Sequence, residues 1–196
     1  QTVDAVLAGD GKGSRKPSLA VLSRGLFAAC IASRPDDAAA ILHLLGSFGP
    51  GGTDVVDGEG RTPLHHACRR GDAVMVRLLC QAGGDPATKD CQQGNNPLAV
   101  AAAVGGTACL RLLLHIGANP NDRNDLGDTA LHEAASVWHG HLECVKALVE
   151  NGGRLSLRNM AGFTPRESVL KAELLFSRGR PPRALRRTLE YVQFVE

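Results

Sequence analysis

Aromatic side chains are scarce in this chain of 196 residues: 5 Phe, 1 Tyr and 1 Trp, about 4% of the total. A core with so few rings must be built from Leu, Val and Ala. Small side chains suit closely packed helices better than a β-sandwich. No apolar run approaches the ~18–20 residues needed to span a bilayer. Nor is there an excess of one charge. The 22 Lys+Arg against 20 Asp+Glu leave a formal net charge of +2, which argues against a nucleic-acid coat or a membrane-surface helix. The start, Gln1-Thr2-Val3-Asp4, has no Met, basic n-region or h-region. It is read as no signal peptide, and the chain as a segment of a longer protein. No C-x-x-C pair occurs among Cys30, Cys68, Cys80, Cys91, Cys109 and Cys144. Scattered among apolar residues, these cysteines fit reduced, packing thiols of an intracellular protein. With 43% hydrophobic residues the chain can bury a core and is too apolar for disorder.

Punctuation is what the sequence has in quantity: 23 Gly and 10 Pro. The glycines keep register. Gly60, Gly94, Gly127 and Gly162 are spaced 34, 33 and 35 apart; Gly71, Gly105 and Gly140 by 34 and 35; Gly83, Gly117 and Gly152 by 34 and 35. Three independent series on one period indicate an internal repeat. Each unit reads as helix, tight turn, helix and protruding loop. Thr62 serves as N-cap, Pro63 starts the first helix and Gly71 ends it. Val74, Leu78 and Leu79 form the apolar stripe of a second helix that Gly83 ends. Neither helix exceeds ~10 residues, so neither is stable alone, and stacking must bury a continuous core.

The blocks Gly60-Arg61-Thr62-Pro63-Leu64-His65-His66-Ala67, with Gly71, Leu78-Leu79 and Gly83, resemble the ankyrin repeat family. So do Gly117-Ala118-Asn119-Pro120-Asn121 and Gly127-Asp128-Thr129-Ala130-Leu131-His132-Glu133-Ala134-Ala135. The resemblance covers roughly residues 57–165 and implies an all-α solenoid of about five helix-turn-helix units with protruding β-hairpin-like loops. Residues 1–17 are read as a linker or the remnant of a preceding unit, and 18–196 as the repeat domain. The units fall at about 18–56, 57–90, 91–124, 125–159 and 160–196, the first and last being divergent caps. The first unit has a helix over about Leu19–Ser33, a break at Pro35, and Asp36 capping a helix over Asp37–Phe48. In the last, the second helix is delayed past Pro181-Pro182, where Leu185, Leu189 and Val192 form an amphipathic stripe.

In this family the histidine after the unit's Leu, here His65 and His132, bonds to Thr and neighbouring backbone, which is a structural role. Unit three has Asn96 and Ala99 in place of Thr and His, so that network is expected to be missing and the unit weak. His139-Gly140-His141 with Cys144 lacks a fourth zinc ligand nearby. Gly11-Lys12-Gly13-Ser14 lacks the phosphate-loop spacing. Arg15-Lys16-Pro17-Ser18 could be read by a basophilic kinase, but Ser18 also serves as an N-cap. No nucleophile motif occurs. No catalytic residue, metal site or cofactor is expected. The basic run Arg178, Arg180, Arg183, Arg186 and Arg187 is a solvated helix face, or else a phosphate, acidic-peptide or nuclear-import site. It has no aromatic for base stacking, which lowers the nucleic-acid reading.

The resemblance implies a concave wall of first helices and finger loops. On it the register exposes Arg61, His66, Arg69 and Arg70 from unit two, Gln92, Gln93 and Asn95 from unit three, and Asp128, Glu133, Trp138 and His139 from unit four. Unit four has eleven steps from Thr129 to Gly140, against nine in its neighbours. That insertion carries Trp138, either an interface anchor or a lid over a neighbouring unit. The expected function is a non-enzymatic protein-interaction module, monomeric, without membrane insertion, cytoplasmic or nuclear. Its partner is a protein or peptide with acidic residues. The alternative is a regulatory or substrate-recruiting segment of an enzyme in the same polypeptide, such as a ubiquitin ligase, GTPase-activating protein or kinase.

Overall fold

The first helices of successive units pack side by side, and so do the second helices. In the computed structural model, residues 19–45, 53–136, 141–168, 170 and 183–195 are described. Helices α1 (Leu19–Ala32) and α2 (Pro35–Leu45) form one pair, α3 (Pro63–Arg70) and α4 (Ala73–Gln81) the next. Then come α5 (Pro97–Val104) with α6 (Thr107–His115), and α7 (Ala130–Ser136) with α8 (Leu142–Glu150). The first turn of a further helix occupies 165–168, and α9 (Arg183–Val195) closes the row. One row runs α1, α3, α5, α7 and the other α2, α4, α6, α8, α9. No β-strand occurs among the described residues.

Between the rows lies a continuous core of the kind the composition requires. Leu64, Leu98 and Leu131 from the first helices meet Leu79, Leu113 and Leu148 from the second, with Ala67, Ala101 and Ala134 between them. The alanines let the helices approach closely. Burial of each Leu contributes about 1.5–3 kcal/mol, which is what stabilises helices too short to persist alone. Thr62 is the N-cap of α3, with Pro63 at its first position, and Gly71 ends it in the left-handed region at φ 71°. The stripe of α4 is shifted from the expected one. Val74 is 59% exposed, and Met75, Val76 and Leu79 face inward. The cause is the cap: Asp72 accepts the Met75 N–H at 3.0 Å, starting the helix at Ala73 and rotating Val74 outward.

The first pair also departs from expectation. α1 ends at Ala32, because Ser33 takes the left-handed conformation at φ 52°. Its turn matches the glycine-ended ones: the Arg34 N–H bonds to Ala29 O at 2.9 Å, as the Asp72 N–H bonds to Ala67 O at 3.1 Å. Pro35 does not break the following helix but begins it, and Asp36 lies inside its first turn rather than capping it. A proline fits there because the first helical N–H has no partner to lose. The expected extension of α2 from 46 to 48 lies outside the described residues. At the other end, Leu185, Leu189 and Val192 are buried and α9 packs on α8.

Candidate functional site

Each loop between pairs is a finger organised by one Asx side chain. Asp57 Oδ1 accepts the N–H groups of Glu59 and Arg61 at 2.9 and 3.0 Å. Asp90 Oδ1 accepts those of Gln92, Gln93 and Asn95 at 3.2, 3.0 and 3.2 Å. Asn124 Oδ1 serves Leu126 and Asp128, and Asn159 Oδ1 serves Phe163. Asx side chains stabilise tight turns in just this way. Adjacent fingers are then joined by one backbone bond each: Cys91 N–H to Glu59 O (3.0 Å), Asp125 N–H to Gln93 O (2.8 Å) and Met160 N–H to Leu126 O (2.9 Å).

The motif histidines tie finger to helix. His65 Nδ1 accepts the Thr62 N–H at 3.1 Å, so the proton sits on Nε2, which donates to Asn95 O at 2.9 Å. His132 repeats this, with the Thr129 N–H at 3.1 Å and Phe163 O at 3.0 Å. Burial lowers the pKa of both rings, against the raising effect of those carbonyls. Unit three lacks the ring but not the cap: Asn96 Oδ1 accepts the Ala99 N–H at 2.9 Å. The expected absence of the network therefore holds only for its inter-unit half.

The expected wall residues differ in how free they are. Arg61 is committed within its own finger, 3.2 Å from Asp57 Oδ2 and 2.6 Å from Glu59 Oε2. His66 Nε2 is 2.9 Å from the same Asp57 oxygen, and its ring meets Phe27 edge-on at 5.6 Å. Burial opposes ionisation of Asp57, but its bonds from His66, Arg61 and Glu59 outweigh that and hold it well below the usual carboxylate range. The register put Arg61 on the exposed wall; the folded finger half-buries it and neutralises it with Asp57 and Glu59. Arg70 Nε donates to Ser33 Oγ at 3.0 Å. Arg69 is exposed, and no described residue pairs with it. Gln92 and Gln93 are exposed, and Asn95 is half-buried.

In unit four, Asp128 Oδ1 accepts from Asn159 Nδ2 at 2.7 Å. Glu133 is turned inward, where Asn124 Nδ2 donates to it at 3.3 Å. Burial, then the charges of Asp128 and Asp90, raise its carboxyl pKa to about 7. Trp138 and His139 lie outside the described residues. Cys144 is buried, its Sγ 3.3 Å from Thr107 Oγ1. All six cysteines are free.

Arg61, Arg69, Asp90, Gln93 and Asn95 line one cleft of about 160 Å³, with Val100 among its walls. Its members run from Arg61 to Val100 across two units, so no local pattern marks it. Spacing by one repeat period was the available signal, and it put Arg69 and Gln93 in adjacent units.

A family model described as ankyrin repeats, in 3 copies, matches residues 26–124 and 109–166. The chain belongs to the ankyrin repeat family. Among similar proteins, ankyrin repeat domain-containing protein 63 of Mus musculus is 43% identical over 102 residues, half of this chain. Tyrosine-protein kinase HTK16 of Hydra vulgaris is 35% identical over 121 residues, 59% of this chain. E3 ubiquitin-protein ligase KEG of Arabidopsis thaliana is 31% identical over 155 residues, 78% of this chain. The matched parts span only 25%, 15% and 9% of those proteins. Ankyrin repeats are non-catalytic protein-interaction modules. No helix among the described residues is long and apolar enough to cross a membrane.

Proposed function

We propose that this five-unit ankyrin stack binds a protein or peptide partner along the wall of first helices and fingers, and that it does so as a monomer in the cytoplasm or nucleus. The carrying observation is the cationic pair at the end of α3. Arg61 is neutralised in its finger, whereas Arg69 is exposed without a partner and Arg70 has only a neutral hydroxyl. An acidic residue of the partner gains charge-assisted bonds there without displacing an ion pair. Trp138, carried by the insertion of unit four in the sequence, is the second anchor. The kinase and ligase names among the relatives favour a second reading, in which the stack recruits a substrate to an enzyme in the same polypeptide. The test is capture of the partner from cell extract. Arg69→Glu with Arg70→Glu should slow association at least several-fold, and more at low salt. Unchanged association would refute this site.

A further inference from the structure

The cleft between the fingers of units two and three holds two opposite charges that do not meet. Arg69 and Asp90 both line it, yet they form no ion pair. Asp90 is half-engaged: its Oδ1 accepts three backbone N–H groups, while its Oδ2 accepts none among the described residues. Gln92 also lines the cleft, with its Nε2 committed to Glu59 Oε2 at 2.9 Å. The cleft thus presents unused donors on Arg69 and an unused acceptor on Asp90, with aliphatic Val100 beside them. Its volume of about 160 Å³ is well short of the ~300–1,000 Å³ of a small-molecule pocket and suits one side chain.

We infer that this cleft is a specificity pocket for the primary carboxamide of a glutamine side chain in the partner. The carboxamide carbonyl accepts from Arg69, its NH₂ donates to Asp90 Oδ2, and its two methylenes lie on Val100. A neutral group with an acceptor on one side and donors on the other satisfies both charges at once. A carboxylate would face Asp90, and an ammonium would face Arg69. Either would leave one wall unpaired and set like charges against each other. A guanidinium carries five donors, so Arg69 can still meet an acidic residue outside the cleft. The inference rests on the binding face proposed above and adds the chemistry of one of its subsites.

A single substitution inverts the selection without disturbing the finger. Asp90→Asn keeps Oδ1 for the three backbone N–H groups, the role that Asn124 and Asn159 already fill in their own fingers. It replaces the free acceptor with a donor. The cleft then offers donors on both sides and should prefer a carboxylate. Random dodecapeptides displayed on phage are panned in parallel on the wild-type chain, Asp90→Asn and Arg69→Met, with circular dichroism confirming each fold. We expect one aligned position at which wild type enriches Gln at least ten-fold over Glu. Asp90→Asn should reverse that ratio, and Arg69→Met should abolish it. Enrichment of Glu or Lys there by wild type, or a ratio indifferent to Asp90→Asn, overturns the glutamine pocket and leaves the binding face standing. Failure of any peptide to be retained above bare support overturns both.

Discussion

Giving unit three the histidine it lacks should strengthen the stack, by an amount the other units define. Asn95 O accepts both the Asp90 N–H and His65 Nε2, and Phe163 O accepts both the Asn159 N–H and His132 Nε2. Asp128 O, the equivalent carbonyl between them, takes the Asn124 N–H at 2.9 Å and no ring. In the variant Asn96→Thr with Ala99→His, the new ring accepts the N–H of residue 96 and donates to Asp128 O. Two such bonds are worth about 0.5–1.5 kcal/mol each. Against them stands the Asn96 cap on the Ala99 N–H, worth about 1 kcal/mol and partly retained by Thr. The net gain is about 1 kcal/mol, or ~2–4 °C in Tm for a domain of this size. It carries a signature. A ring held neutral in the folded state has a lowered pKa there, so the unfolded chain binds more protons. The gain must then be complete above about pH 7 and shrink as pH falls through about 6.5. Urea unfolding of the double variant, Asn96→Thr alone and wild type at pH 7.5 and 5.5 measures both. If the double variant is less stable than Asn96→Thr at pH 7.5, Ala99 packs where a ring has no room. A gain identical at both pH values would mean that the ring is not bonded as in its neighbours.

Three further outcomes are expected. Ser33→Gly relieves a left-handed residue at φ 52° and should raise stability by about 1 kcal/mol, less the exposed bond from Arg70; thermal unfolding at pH 7.5 checks it. Wild-type stability between pH 7 and 5.5 combines opposed effects. The lowered pKa of His65 and His132 removes stability on acidification, while the raised pKa of Glu133, about 7, restores some. Glu133→Gln should therefore be more stable than wild type at pH 8 and should lose stability more steeply on acidification, and parallel pH curves would contradict that. Trp138→Ala should weaken partner binding by about 2 kcal/mol with little change in Tm. A large fall in Tm with unchanged affinity would make that ring a structural lid.

Much of the fold was legible because repeat architecture writes itself along the chain. Glycines on one period marked where helices end, and Leu64, Ala67 and their counterparts marked the core. What local pattern could not show was register set by a cap, as when Asp72 turned Val74 outward. Nor could it show that a serine would take a glycine's conformation at position 33. Of the candidate cleft, the repeat register carried only that Arg69 falls in one unit and Gln92, Gln93 and Asn95 in the next. The charge state of the wall was not legible. Arg61 is matched by Asp57 and Glu59 through contacts that form only when the finger closes, and Glu133 turns inward to Asn124. Asp90 went unnoticed because it reads as a turn residue; only the fold brings it to the same cleft as Arg69.

The finger row and the helix rows differ in stiffness. Helix rows are joined by interdigitated Leu and Ala, which resist displacement because any gap forfeits contacts on both sides. Finger rows are joined by one backbone bond per junction, each worth only about 1 kcal/mol net. Strain imposed along the stack should therefore concentrate at those joints, as in a fan held at its ribs. The joints are not equal. Side-chain ties reinforce them differently: Gln92 to Glu59 at 2.9 Å at an exposed surface, Asn124 to Asn95 at 2.9 Å half-buried, Asn159 to Asp128 at 2.7 Å. The exposed tie sits beside the cleft of Arg69 and Asp90, at a joint that His65 also braces through Asn95 O. His132 braces the joint to the last unit through Phe163 O, and the joint between units three and four has no ring, so pulling on the stack should load that middle joint before any helix is disturbed.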